Sequence, residues 1–158
     1  MTLLVDIQNP ENFTSLPALD DLTYWAAAAW LDESDAGVVL RIVAEAESQT
    51  LNYSFRNKDY PTNVLSFVYE PPPFDFIDDF EVGEVDYLGD LIICLPVVER
   101  EASEQGKPLV HHWAHMVVHG LLHLQGYDHI TELEAHIMEA REIDILQQLG
   151  FPNPYEPH

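Results

Sequence analysis

The chain has 158 residues, 47% of them apolar, enough for a real core in one domain, and a single domain over residues 1–158 is expected. Its 28 acidic residues against six Lys and Arg give a net charge of −22, which excludes a broad basic face for nucleic acid and leaves at most one local positive pocket. No apolar run is long enough to span a bilayer, MTLLVDIQNPEN lacks the basic start and long apolar core of a signal peptide, and lone Cys94 makes no internal disulfide, so a cytoplasmic protein without membrane contact is expected.

Leu3–Gln8 reads as a short strand. Asp20 or Asp21 is placed to cap a helix running to about Leu31. Val38–Ala44 is apolar and β-branched and predicts a strand, and Glu45–Phe55 suits a helix. RNKDYPTN, with Pro61 and Asn63 as breakers, is a loop, and Val64–Tyr69 is a third strand. Glu70–Asp86 is an acidic, proline-started excursion whose plainest reading is a surface loop. Tyr87–Leu95 is a fourth strand holding Cys94 as a small buried hydrophobe. Pro96 opens a helix ending near Gln105 and Gly106, and Pro108 opens a long one through Leu124. TELE at Thr131–Glu134 is a capping box for a last helix to Gly150. Helices and strands mix without strict alternation, which makes the fold class α+β.

HGLLHLQGYDH, from His119 to His129, carries the chemistry. Residues four apart share a helix face, so His119 and His123 can grip one ion together. Gly126 sits where the helix ends, because glycine enters the left-handed conformation without a Cβ penalty, and the reversed chain returns His129 to the same ion. Three imidazoles with one open position are the donor set of a catalytic zinc site. The spacing is that of H-E-x-x-H-x-x-G-x-x-H with one departure. Gly120 stands where the peptidases carry the glutamate that takes the proton from water, so the metal site is expected and the proteolytic base is not.

His115 and His111 continue the same row backward and read as packing or as support for the ligands. His112 and His136 default to structural or surface roles. Asp128 is a candidate for orienting an imidazole or acting as a base, its alternative being a local turn contact. Asp90 is another candidate, its alternative being the end of a turn. Arg56 and Lys58 are paired cations on the loop before the third strand. The arginine fork suits phosphate, and a salt bridge to a nearby carboxylate fits the sequence equally well.

LNYSFRNKDYPTNVLSF, YLGDLIIC and HWAHMVVHGLLHLQGYDH, in that order and spacing, resemble the signature blocks of the YbeY family of bacterial endoribonucleases. The resemblance runs from about Leu3 to Tyr155. It implies a mixed four-stranded sheet packed with about five helices, zincin-like, with the metal helix central. It also implies a zinc-dependent endoribonuclease for single strands that matures the 3′ end of 16S ribosomal RNA and serves ribosome quality control. One zinc per chain would sit on His119, His123 and His129. The functional arginine would be Arg56, and the partners would be ribosomal RNA precursor and ribosome or small-subunit components. Lys58, from its place beside Arg56 and not from the resemblance, is a candidate for holding the RNA backbone. SFVYE stands where relatives commonly read SFPFE. Two other readings stay open: a non-catalytic ribosome-assembly factor with a structural zinc, and a metallopeptidase-like hydrolase whose base lies elsewhere.

Overall fold

A computed structural model describes residues 3–69 and 86–156, so the acidic stretch 70–85 lies outside the described residues. The described chain runs β1 (Leu3–Gln8), α1 (Leu19–Ala29), β2 (Ala36–Val43), α2 (Glu45–Arg56), β3 (Val64–Val68), β4 (Asp86–Cys94), α3 (Leu95–Gln105), α4 (Leu109–Leu124) and α5 (Glu132–Gln148). The strands form one mixed sheet in the order β1-β2-β4-β3. β1 pairs parallel with β2 and β2 with β4, whereas β3 runs antiparallel to β4. This is the expected α+β class with its four strands and five helices.

Side-chain alternation along β4 divides the interior. Leu91 and Ile93 point into the main core with Leu40, Ile42, Trp113, Val117 and Leu121. Ile92 and Cys94 point to the opposite face, where they pack with Val43, Leu65 and Val97, and with Leu51 of α2. Cys94 is fully buried as expected, and burial pushes its thiol pKa up.

Helix boundaries follow local chemistry with one correction. α1 starts at Leu19 from Ala18 without a side-chain cap. Asp20 and Asp21 lie inside its first turn rather than before it, where carboxylates favour the positive end of the helix dipole. Pro96 sits in the first turn of α3, and Thr131 and Glu134 close the capping box of α5.

α4 is buried nearly all round, the mark of a helix inside the core. From His111 to Leu124 every residue is buried except half-buried His111, His119 and His123. Its end is tied to α1 through Gln125, whose side chain donates to the Ala29 carbonyl at 2.7 Å and accepts from the Leu31 N–H at 3.0 Å. None of the described helices is long and apolar enough to cross a membrane.

Candidate active site

α4 sets the first two imidazoles on one face. The helix then closes in a Schellman turn: the Tyr127 N–H bonds the Leu122 carbonyl at 3.1 Å, and the Gly126 N–H bonds that of His123 at 3.0 Å. Gly126 has φ +100°, which a side chain would strain. The reversal carries His129 back over the helix, and one ring nitrogen from each of His119, His123 and His129 lies within 4.8 Å of the others. His119 Nε2 and His123 Nε2 face each other at 3.1 Å. Tetrahedral zinc with nitrogen ligands at about 2.0–2.1 Å needs donors roughly 3.3 Å apart, so this pair is spaced as two zinc ligands would be, with a His129 nitrogen within 4.8 Å of both. Burial first, then the neighbouring charges of His119 and His129, lower the His123 pKa, which favours the neutral ring a metal requires.

Beneath these rings lies a group that the residue reading missed. Glu142 of α5 is 0% exposed. One of its oxygens accepts from His119 Nδ1. The other accepts from the Tyr155 hydroxyl and, at 3.4 Å, from His115 Nε2. Burial alone would raise the carboxyl pKa, but the hydrogen bonds of His115 and His119 outweigh it and bring it down to about 2. The same burial lowers the His115 pKa and, with Glu142 beside it, raises that of Tyr155. A signal was present: Glu142 interrupts the buried row Met138, Ile145 and Leu146 of α5, and an acid in an apolar row needs partners.

The three histidines open into a cavity of about 420 Å³, also lined by Arg56, Asn63, Ser66 and Asp128. β3 supplies one wall. Its alternation turns Leu65 and Phe67 to the α2 face and leaves Val64, Ser66 and Val68 lining the cavity. Arg56 arrives from the far side of the sheet. It is the last residue of α2, and Asn57 follows in the left-handed conformation at φ 58°. The next turn is held by Asn52, which donates to the Tyr60 carbonyl at 2.8 Å, and by Ser48, bonded to both backbone groups of Thr62 at 2.9 and 3.0 Å. The Phe55 ring meets Phe67 edge-on at 5.1 Å. So anchored, the Arg56 guanidinium crosses the β3 edge and donates to the Ser66 carbonyl at 3.4 Å.

The remaining candidates separate. Lys58 is exposed and does not line the cavity. Asp128 lines it and accepts from the His129 N–H at 2.8 Å, the local turn contact. Asp90 lies on β4, away from the cavity, and accepts from the Tyr87 hydroxyl. His112 is buried and bonded to Glu101 at 2.9 Å, and His136 is exposed. A Cβ on Gly120 would stand 2.8 Å from a Leu91 methyl, so α4 is pressed against the sheet where the peptidase signature places its glutamate.

A family model for endoribonuclease YbeY matches residues 16–150. A relative from Methylococcus capsulatus, named endoribonuclease YbeY, is 60% identical over 131 residues, covering 83% of this chain and 81% of the relative. A solution structure from Thermotoga maritima superposes with a TM-score of 0.52 at 23% identity, covering 97% of this chain and 99% of that one, a likeness of fold alone. With the histidine signature set on α4 and the turn that follows it, and most of the sequence matched, the chain belongs to the YbeY family.

Proposed function

We propose that this chain is a zinc-dependent endoribonuclease that cuts single-stranded RNA, serving maturation of the 3′ end of 16S ribosomal RNA and ribosome quality control in the cytoplasm. The observation that carries the reading is one cavity lined by three convergent imidazoles and one arginine, in a chain whose relative is named an endoribonuclease. His119, His123 and His129 would hold the metal. Bound zinc supplies Lewis-acid polarisation and brings the pKa of water toward about 7.

The chain's own residues do the rest. Arg56 offers a charged fork to the phosphate and stabilises the charge that grows on it as the ester bond breaks. Its anchored turn holds that fork in place before substrate arrives. Ser66 presents a hydroxyl to the strand, whereas the Asn63 side-chain amide donates to the Glu101 carboxylate at 3.0 Å. Asp128, the one carboxylate lining the cavity among the described residues, is placed to accept a proton. Glu142 is sealed beneath His119 and is not. Lys58, outside the cavity, meets a more distant phosphate. With so few cations, binding of free RNA is weak, and ribosome or small-subunit components raise the local concentration of substrate.

The test is cleavage of labelled single-stranded and duplex RNA by zinc-loaded protein, beside His119→Ala and Arg56→Ala. The expected result is cutting of the single strand alone, abolished by chelator and by His119→Ala. Intact RNA with the loaded wild type, or undiminished cutting by His119→Ala, overturns the proposal. Peptide cleavage would favour the hydrolase alternative, and ribosome binding without cutting the assembly factor. Product ends identify the nucleophile: a 2′,3′-cyclic phosphate marks attack by the substrate 2′-hydroxyl, and a linear phosphate formed directly marks attack by water.

A further inference from the structure

Glu142 touches none of the space a substrate would fill, yet it is a fully buried carboxylate with both oxygens engaged. An ionised carboxylate only accepts hydrogen bonds. Its bond to His119 Nδ1 therefore requires the hydrogen on Nδ1, which in the neutral ring leaves the Nε2 lone pair free, and that is the nitrogen facing His123 Nε2 at 3.1 Å. The opposite tautomer would set a lone pair against the carboxylate and a hydrogen into the site. The other oxygen is held by the Tyr155 hydroxyl and by His115 Nε2, which lie 3.3 Å from each other.

We infer that Glu142 is a positioning residue of the metal centre, one that locks His119 in the Nδ1–H tautomer with Nε2 turned to the ion. Tyr155 and His115 in turn fix the carboxylate, so a tyrosine beyond α5 contributes to metal affinity without reaching the ion. The inference rests on the three-histidine reading of the site. His115, His119 and Glu142 also bring one donor atom each within 4.8 Å. Both Glu142 oxygens are already taken by hydrogen bonds from within the chain, however, which makes this group the support of the first rather than a second ion site. Outer partners of metal-bound histidines fix ring orientation and raise ligand basicity, and their loss weakens metal binding about 10–100-fold.

Two measurements on the whole chain test this. Long-range proton–nitrogen NMR of the metal-free wild type reads the His119 tautomer directly, with Nδ1–H expected. Competition with a chelating indicator gives zinc affinity for wild type, Glu142→Gln, Tyr155→Phe and His119→Ala, with circular dichroism as the check on folding. Glutamine keeps the shape but loses the charge and turns a donor toward Tyr155 and His115, so affinity is expected to fall about 10–100-fold, and by less for Tyr155→Phe. Wild type in the Nε2–H tautomer, a folded Glu142→Gln that binds zinc as tightly as wild type, or two ions per chain would overturn the inference. Should Glu142→Gln not fold, the tautomer and Tyr155→Phe decide, and an unchanged affinity in the latter overturns the role given to the tyrosine. If His119→Ala binds zinc as well as wild type, the three-histidine reading falls first. Loss in His119→Ala beside full retention in Glu142→Gln sinks this inference alone.

Discussion

Gly120→Ala tests whether the departure from the peptidase signature is a matter of packing. The added Cβ would lie 2.8 and 3.1 Å from the two methyls of Leu91, and Leu91 is 0% exposed, so its methyls have little room to swing away. Overpacking of this kind costs about 1–3 kcal/mol. Alanine recovers about 0.8–1.0 kcal/mol of helix propensity over glycine. The net is a destabilisation of about 1 kcal/mol, or a fall in Tm of roughly 2–4 °C for a chain of this length. Leu91→Ala, itself costing about 2–5 kcal/mol, empties the space the Cβ would enter. In that background Gly120→Ala should instead stabilise by up to about 1 kcal/mol, because the propensity gain is left unopposed. Urea unfolding followed by tryptophan fluorescence, with chelator in every sample, gives all four free energies. A stabilisation of similar size in both backgrounds would refute the close approach of α4 to the sheet.

Arg56→Ala should lower kcat for RNA cleavage about 10²–10³-fold, as loss of a preorganised charge does, with poor recovery in Arg56→Lys because the planar fork is gone. Lys58→Ala should raise KM and flatten the salt dependence of binding while kcat holds, since one distant phosphate contact is removed; a fall in kcat matching that of Arg56→Ala would count against this division. The Glu101 carboxyl has its pKa raised by burial, but hydrogen bonds from His112 and Asn63 bring it below the ordinary 4.5. A carboxyl lowered in the folded state contributes stability that is complete above pH 4.5 and is lost as pH falls through the lower native value. The stability gap between wild type and Glu101→Gln should therefore close on the acid side of pH 4.5, and a gap that widens there would reverse the assignment. Cys94 should react with a neutral thiol reagent only as fast as the chain opens, because its thiol is buried and its pKa raised; rapid labelling of the native protein would contradict this.

What the sequence revealed depended on how local the signal was. His119, His123, Gly126 and His129 were legible because helix periodicity and one left-handed turn suffice to bring them together. The capping box at Thr131 and the alternation that buries Cys94 are local in the same way. Glu142 was not singled out. α5 carries Glu132, Glu134, Glu139, Glu142 and Asp144, and which of these turns inward depends on how that helix rests on α4. Arg56 was visible as one of two paired cations, but not its passage over the edge of β3 from the opposite face, which needs the strand order. Lys58, two residues on, looked equivalent because both sit in one short stretch, and the left-handed step at Asn57 separates them. Asp20 and Asp21 misled about the start of α1 because a carboxylate favours the first turn as well as the cap.

Among the described residues, the strand order β1-β2-β4-β3 leaves β1 and β3 each with one side unpaired by another strand. Such borders template pairing between molecules unless something discourages it. Here the discouragement is collective: at a net charge of −22, two copies approaching border to border repel over the Debye length, about 8 Å at physiological ionic strength. Concentrated salt shortens that range to about 3 Å at 1 M, so the protein should become prone to self-association as salt rises, and storage in dilute buffer should keep its copies apart.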